Sequence, residues 1–148
     1  MTYVRFAAMI ATSVVAMYIL MYLNTYALDH VYWSQTRAWM ALYMGAVMAL
    51  IMLAYMLGMY RNRAANIAIL VVSVAAFGGA LYLLRSQRTV DDVAWMKAMI
   101  PHHSIAILTS ERAQITDPRV RALADQIIET QRREIAEMKV LIDDLQSP

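Results

Sequence analysis

The chain has 148 residues, of which 61% are apolar and 16% charged, against roughly 45–50% and about 25% in soluble domains. The charges are unevenly spread: residues 1–90 hold 7 of them and are net +5, whereas residues 91–148 hold 17 and are net −3. This division excludes a single soluble globule, the lack of cysteine excludes disulfides and thiolate sites, and arginines set at the edges of apolar runs exclude a nucleic-acid partner.

Val4–Leu23 is uncharged apart from Arg5 at its edge and, at about 1.5 Å per helical residue, reaches across a hydrocarbon core of about 30 Å. It is longer than the apolar run of a signal peptide and no small-residue cleavage site follows, so it reads as a retained span. Trp39–Tyr60 is the second uncharged run, and Ile67–Leu84, with Gly78-Gly79 inside it, is the third. In a bilayer such runs satisfy their backbone groups as helices. Tyr22, Tyr26, Tyr32, Trp33 and Trp39 cluster about the first loop, and Tyr82 and Trp95 near the exit of the third run, as interfacial aromatics do. Three spans put the loop Asn24–Ala38 and the tail Arg85–Pro148 on one side. Arg5, Arg61 and Arg63 mark the opposite side as cytoplasmic, which predicts a bacterial inner-membrane protein with a periplasmic tail.

The second run carries Met40, Met44, Met48, Met52, Met56 and Met59, beside Ala41, Gly45 and Ala49 at four-residue spacing. The small residues form a face suited to close helix packing. The methionines read as flexible apolar filler, because no histidine or carboxylate accompanies them; a metal path through the membrane is the sharper alternative.

The tail reads as two helices. Thr89-Val-Asp-Asp92 resembles a capping box, and Asp117-Pro118 pairs an N-cap acceptor with proline at the first helical position. Gln114–Thr116 leaves room for a short turn, so the helices fold back as an antiparallel hairpin. On the second helix Val120, Ala124, Ile127, Gln131, Glu134, Met138, Leu141 and Leu145 form a heptad seam, interrupted by Gln131 and Glu134. A matching seam on the first helix runs through Met96, Met99, His103, Ala106, Ser110 and Ala113. Antiparallel pairing sets Met96 opposite Met138, Met99 opposite Glu134 and His103 opposite Gln131. A buried carboxylate or imidazole needs a partner: a bound cation, a second copy of the hairpin, or water.

Thioether sulfur with imidazole nitrogen suits soft copper(I), or silver(I), better than magnesium, calcium or iron. Pro101 removes a helical hydrogen bond just before the histidines, and the resulting kink turns both His102 and His103 inward. Asp29-His30 shares a side with the tail and could lie over the hairpin as a further ligand pair; a local hydrogen-bonding pair is the plainer reading.

Trp95-Met-Lys-Ala-Met-Ile-Pro-His-His103, Ala122-Leu-Ala-Asp-Gln-Ile-Ile128 and Gln131-Arg-Arg-Glu-Ile-Ala-Glu-Met138 resemble the family catalogued as domain of unknown function 305, over about residues 91–145. The resemblance implies a ferritin-like helical fold and, as in some members, periplasmic copper or silver binding by Met96, Met99, His102 and His103, with Gln131, Glu134 and Met138 more weakly involved. The chain departs from the common pattern at Leu108 and Thr109, where many relatives carry an acidic residue and a methionine.

The expected architecture is therefore all-α: a three-span membrane domain over residues 1–88, then a helical hairpin over 89–148, a ferritin-like half-bundle. The expected function is capture, buffering or delivery of copper(I) or silver(I) by a membrane-tethered protein. Its partners are the lipid bilayer, the metal ion and a second copy, since a lone hairpin supplies only two helices of a bundle. The alternative is a metal-free assembly module. An enzyme is not expected, because the tail has no Glu-x-x-His pair for a di-iron site, and Ser104 and Ser110 beside histidines on one helix do not make a triad.

Overall fold

The structure is a computed structural model that describes residues Thr2–Ser147. It is all-helical, with no strand among the described residues: α1 (Tyr3–Leu20), α2 (Gln35–Tyr55), α3 (Arg63–Ser86), α4 (Asp92–Arg112) and α5 (Pro118–Gln146), plus a 3-10 turn at Leu28–His30. The first three helices are long and apolar enough to cross a membrane. The chain forms two compact units, Met1–Met21 with Thr36–Thr89, and Tyr22–Gln35 with Val90–Pro148.

In the first unit the helix ends differ from the limits of the apolar runs. α2 stops at Tyr55, and Met56–Met59 form a turn. Tyr60 does not continue the helix because its ring is buried against Phe6, 5.5 Å away edge-on, and Tyr3, 4.9 Å away. α3 starts four residues before Ile67 because Asn62 caps it, its Oδ1 accepting from the Ala65 N–H at 3.1 Å. It ends at Gln87, which adopts a left-handed φ of 52° and bonds its N–H to the Leu83 carbonyl, the usual way to close a helix. Ala41, Gly45 and Ala49 are buried on one face of α2. Val14 of α1 lies so close to Gly45 that a Cβ there would stand 2.2 Å from Val14 Cγ2. Met40, Met44, Met48 and Met52 of α2 are half-buried, as is Met56 in the turn that follows, whereas Met59 is exposed; Met52 and Met56 pack on the core of Phe6, Ala49, Leu53 and Tyr60. Buried Arg37 donates to the Met21 carbonyl just past α1, where a cation meets the negative helix end.

In the second unit α4 and α5 contact each other along their lengths. Lys97 Nζ donates to Gln146 Oε1 at 3.1 Å, His103 meets Glu134, and Arg121 donates to the Ser110 carbonyl at 3.0 Å. Between them Met96, Ile100 and Ile107 bury against Ile135, Met138 and Ile142. Asp91, not Thr89, caps α4, its Oδ1 accepting from the Ala94 N–H at 2.7 Å. Asp117 caps α5, with Pro118 in its first turn.

The seam on α5 is rotated from its expected phase. Ala124 and Met138 are buried as expected, but Ile135 and Ile142 replace Glu134 and Leu141, and Val120 and Leu145 are exposed. Ile128, Ile135 and Ile142 repeat at seven residues, so this phase buries Ile135 and Ile142, packs Ile128 against them half-buried, and leaves the Glu134 carboxylate near the edge, which avoids the cost of burying a charge. On α4 the buried residues are Met96, Ile100, Pro101, Ser104 and Ile107. This face is wider than the expected seam because α4 has a second neighbour, the segment Tyr22–Gln35, whose Tyr32 packs on the same core.

Candidate functional site

The side chains of three expected ligands, His103, Glu134 and Gln131, meet on one level of the α4–α5 pair. The half-buried His103 ring sets Nδ1 3.0 Å from the Met99 carbonyl of its own helix, and Nε2 2.8 Å from Glu134 Oε2. A carbonyl oxygen can only accept, so Nδ1 carries a proton and donates it. Gln131 Nε2 donates weakly to the same carboxylate oxygen at 3.4 Å. The pairing is thus His103 with Glu134, where Gln131 was expected opposite His103 and Met99 opposite Glu134. The rotation of α5 described above produces this shift.

Met96 and Met138 are together as expected, but inside the apolar core, with Met99 packed at its edge. His102 is not brought in. α4 runs unbroken through Pro101, and adjacent helical residues point about 100° apart, so His102 is exposed with its ring 6.3 Å from that of His103. Among the described residues no group of three or more His, Asp or Glu side chains gathers as a metal site.

Asp29 and His30 lie against the same helices but are engaged with protein groups. Ser104, fully buried, accepts the Tyr26 N–H at 2.7 Å and stands 2.9 Å from His30 Nδ1. Asp29 forms an ion pair with Lys139, and Arg132 lies 5.7 Å from the centre of the Tyr26 ring while also pairing with Glu111. Burial lowers the pKa of His30, an effect the nearby Asp29 carboxylate partly opposes; the Lys139 hydrogen bond lowers that of Asp29. Sequence reasoning missed Ser104, Lys139, Tyr26 and Arg132 as the groups that receive this segment. The available signals were a serine set among apolar residues beside the histidines and the opposite charges of Asp29 and Lys139.

Three apolar helices followed by an amphipathic helix pair with a His–Glu contact define a protein with two distinct parts. Residues 82–148 match the family described as Domain of unknown function (DUF305), and this C-terminal part of the chain belongs to that family. An uncharacterized protein of Acanthamoeba polyphaga mimivirus is 31% identical over 145 residues, covering 93% of this chain and 93% of that protein. That likeness therefore takes in the apolar helices as well as the helix pair. No solved structure matches the chain.

Proposed function

We propose that this is a membrane-tethered protein of the bacterial inner membrane that captures or buffers copper(I), with silver(I) as its mimic, in a periplasmic antiparallel hairpin corresponding to half of a ferritin-like bundle. The observation that carries this reading is the fixed orientation of His103. With Nδ1–H committed to the Met99 carbonyl, the ring turns its Nε2 toward the Glu134 carboxylate 2.8 Å away. That approach places either a proton or a cation between Nε2 and the carboxylate. A backbone carbonyl holding the far ring nitrogen is also how proteins orient metal-ligating histidines. Imidazole nitrogen and the thioethers of Met99, Met96 and Met138 are soft donors, while Glu134 offsets the cation's charge. Such a role needs coordination alone.

The test is a copper(I) titration of the purified full-length protein against a competing chelator. Wild type and His102→Ala should bind alike, while His103→Ala and Met99→Ala should each weaken binding. Equal binding by wild type and His103→Ala would overturn the proposal. A second reading, a metal-free assembly module, is favoured by the exposed apolar residues Val120, Leu123, Leu141 and Leu145 of α5. It expects a stable dimer in chelator, and a monomer when Leu123 and Leu141 are changed to lysine.

A further inference from the structure

The first unit contains six arginines and no aspartate or glutamate. Arg61 and Arg63 therefore have no carboxylate within the unit to pair with. Two of them, Arg61 and Arg63, line a cavity of about 510 Å³ at the turn between α2 and α3, together with Asn66. Leu57, Asn66 and Ile67 of this cavity also line a second one of about 380 Å³, which continues between the two helices past Leu53 and Leu70 and is almost wholly apolar. The result is one groove with a cationic mouth and a hydrocarbon-like floor.

The mouth is braced. The Tyr3 hydroxyl lies 2.9 Å from Asn66 Oδ1 and accepts the Asn62 N–H at 3.2 Å, and Asn66 Nδ2 donates to the Tyr60 carbonyl at 2.8 Å. Tyr60 is fixed in turn between the Phe6 and Tyr3 rings. These contacts hold the backbone of Arg61 and Arg63 while leaving both side chains exposed.

We infer that this groove binds an anionic phospholipid, with its phosphate between Arg61 and Arg63 and an acyl chain along the α2–α3 floor. Arginine's planar guanidinium suits bidentate contact with phosphate, and basic residues at a membrane surface attract anionic lipids. Charge complementarity excludes a zwitterionic headgroup as the preferred occupant, and the apolar floor excludes a free anion. The inference rests on the membrane reading proposed above.

The experiment compares lipid retention by the full-length protein in a neutral detergent, measured by native mass spectrometry. The probes are phosphatidylglycerol, phosphatidylcholine and soluble glycerol phosphate. Phosphatidylglycerol should be retained over phosphatidylcholine by roughly tenfold or more, because two basic residues at a membrane surface favour an anionic lipid. The double variant R61Q/R63Q should lose that preference, and R85Q/R88Q, at the far end of α3, should keep it. Ile67→Trp, which fills the floor, should reduce retention of both phospholipids. Equal retention of the two phospholipids, an unchanged preference in R61Q/R63Q, or glycerol phosphate binding as well as the lipid would each overturn the site. Recovery of the chain in the soluble fraction of cells would overturn the membrane reading itself; a membrane-bound chain without lipid preference would overturn only this site.

Discussion

Replacing Ser104 with alanine should release the segment 26–32 from α4 while leaving the helix pair folded. The side chain is fully buried, and its single oxygen serves both the Tyr26 N–H and His30 Nδ1. Losing it strands two polar groups, each worth about 1–3 kcal/mol when left buried without a partner. The segment can lift and hydrate those groups, so the measured loss is limited by the free energy of docking itself. The Asp29–Lys139 pair adds little, because Asp29 is well exposed, and the packing of Tyr32 remains. An overall loss of about 2 kcal/mol follows, equivalent to a roughly 30-fold rise in the open population at about 1.36 kcal/mol per factor of ten. Hydrogen exchange on the full-length protein reads this directly: amides 26–32 should exchange about 30-fold faster, and those of α5 at an unchanged rate. Protection of 26–32 within threefold of wild type would refute the reasoning, since the bonds to Ser104 would then not hold the segment.

The same contact predicts a pH dependence. His30 has a lowered pKa when docked, from burial opposed by Asp29, with Lys139 adding to the lowering; its docked form therefore favours the neutral ring. Docking is fully stabilised above the undocked value of 6.5 and weakens as pH falls through the lower docked value. Protection factors of amides 26–32, with the intrinsic pH dependence of exchange divided out, should thus fall on acidification in wild type and lose that dependence in His30→Gln. Ile107→Ala removes a fully buried side chain from the helix-pair core and should cost about 3 kcal/mol in chemical denaturation, whereas Val140→Ala, on an exposed position, should cost under about 0.5 kcal/mol. Gly45→Ala sets its methyl against Val14 Cγ2, a stiff β-branched side chain, and should lower the thermal midpoint in detergent. Adding Val14→Ala should restore it, while a tolerated Gly45→Ala would contradict the close approach. Gly78→Ala meets no atom within 4 Å and should be neutral.

The apolar runs were legible because a helix of membrane-crossing length needs little beyond a stretch without charge. Their ends were not, because Tyr60 is apolar yet leaves the helix to fill a ring cluster, and Asn62 extends α3 backward by capping it. The small-residue face of α2 could be read from four-residue spacing alone. In the tail the helices and the Asp117 cap followed from local signals, but the phase of α5 depends on a choice between two overlapping heptads. The choice turns on one residue: the phase that would bury Glu134 loses to the one that buries Ile135. His103 and Glu134 were singled out from sequence, whereas their pairing required that rotation. His102 was placed inward on the strength of Pro101, and the helix absorbs the proline without turning it in. The engagement of Ser104 by a segment 78 residues earlier in the chain leaves no periodic trace in the sequence.

That engagement also means the second unit is assembled from two stretches of chain separated by α2 and α3. A fragment cut before Val90 would carry both long tail helices and their isoleucine core, yet lack the strip that covers Ser104 and supplies Tyr32. During synthesis the strip is made early and waits through more than a hundred residues for Lys139, the partner of Asp29. Because the entropy of closing such a loop grows only slowly with its length, the delay costs little in stability. It does mean that both intervening apolar helices are synthesised before the second unit can be completed.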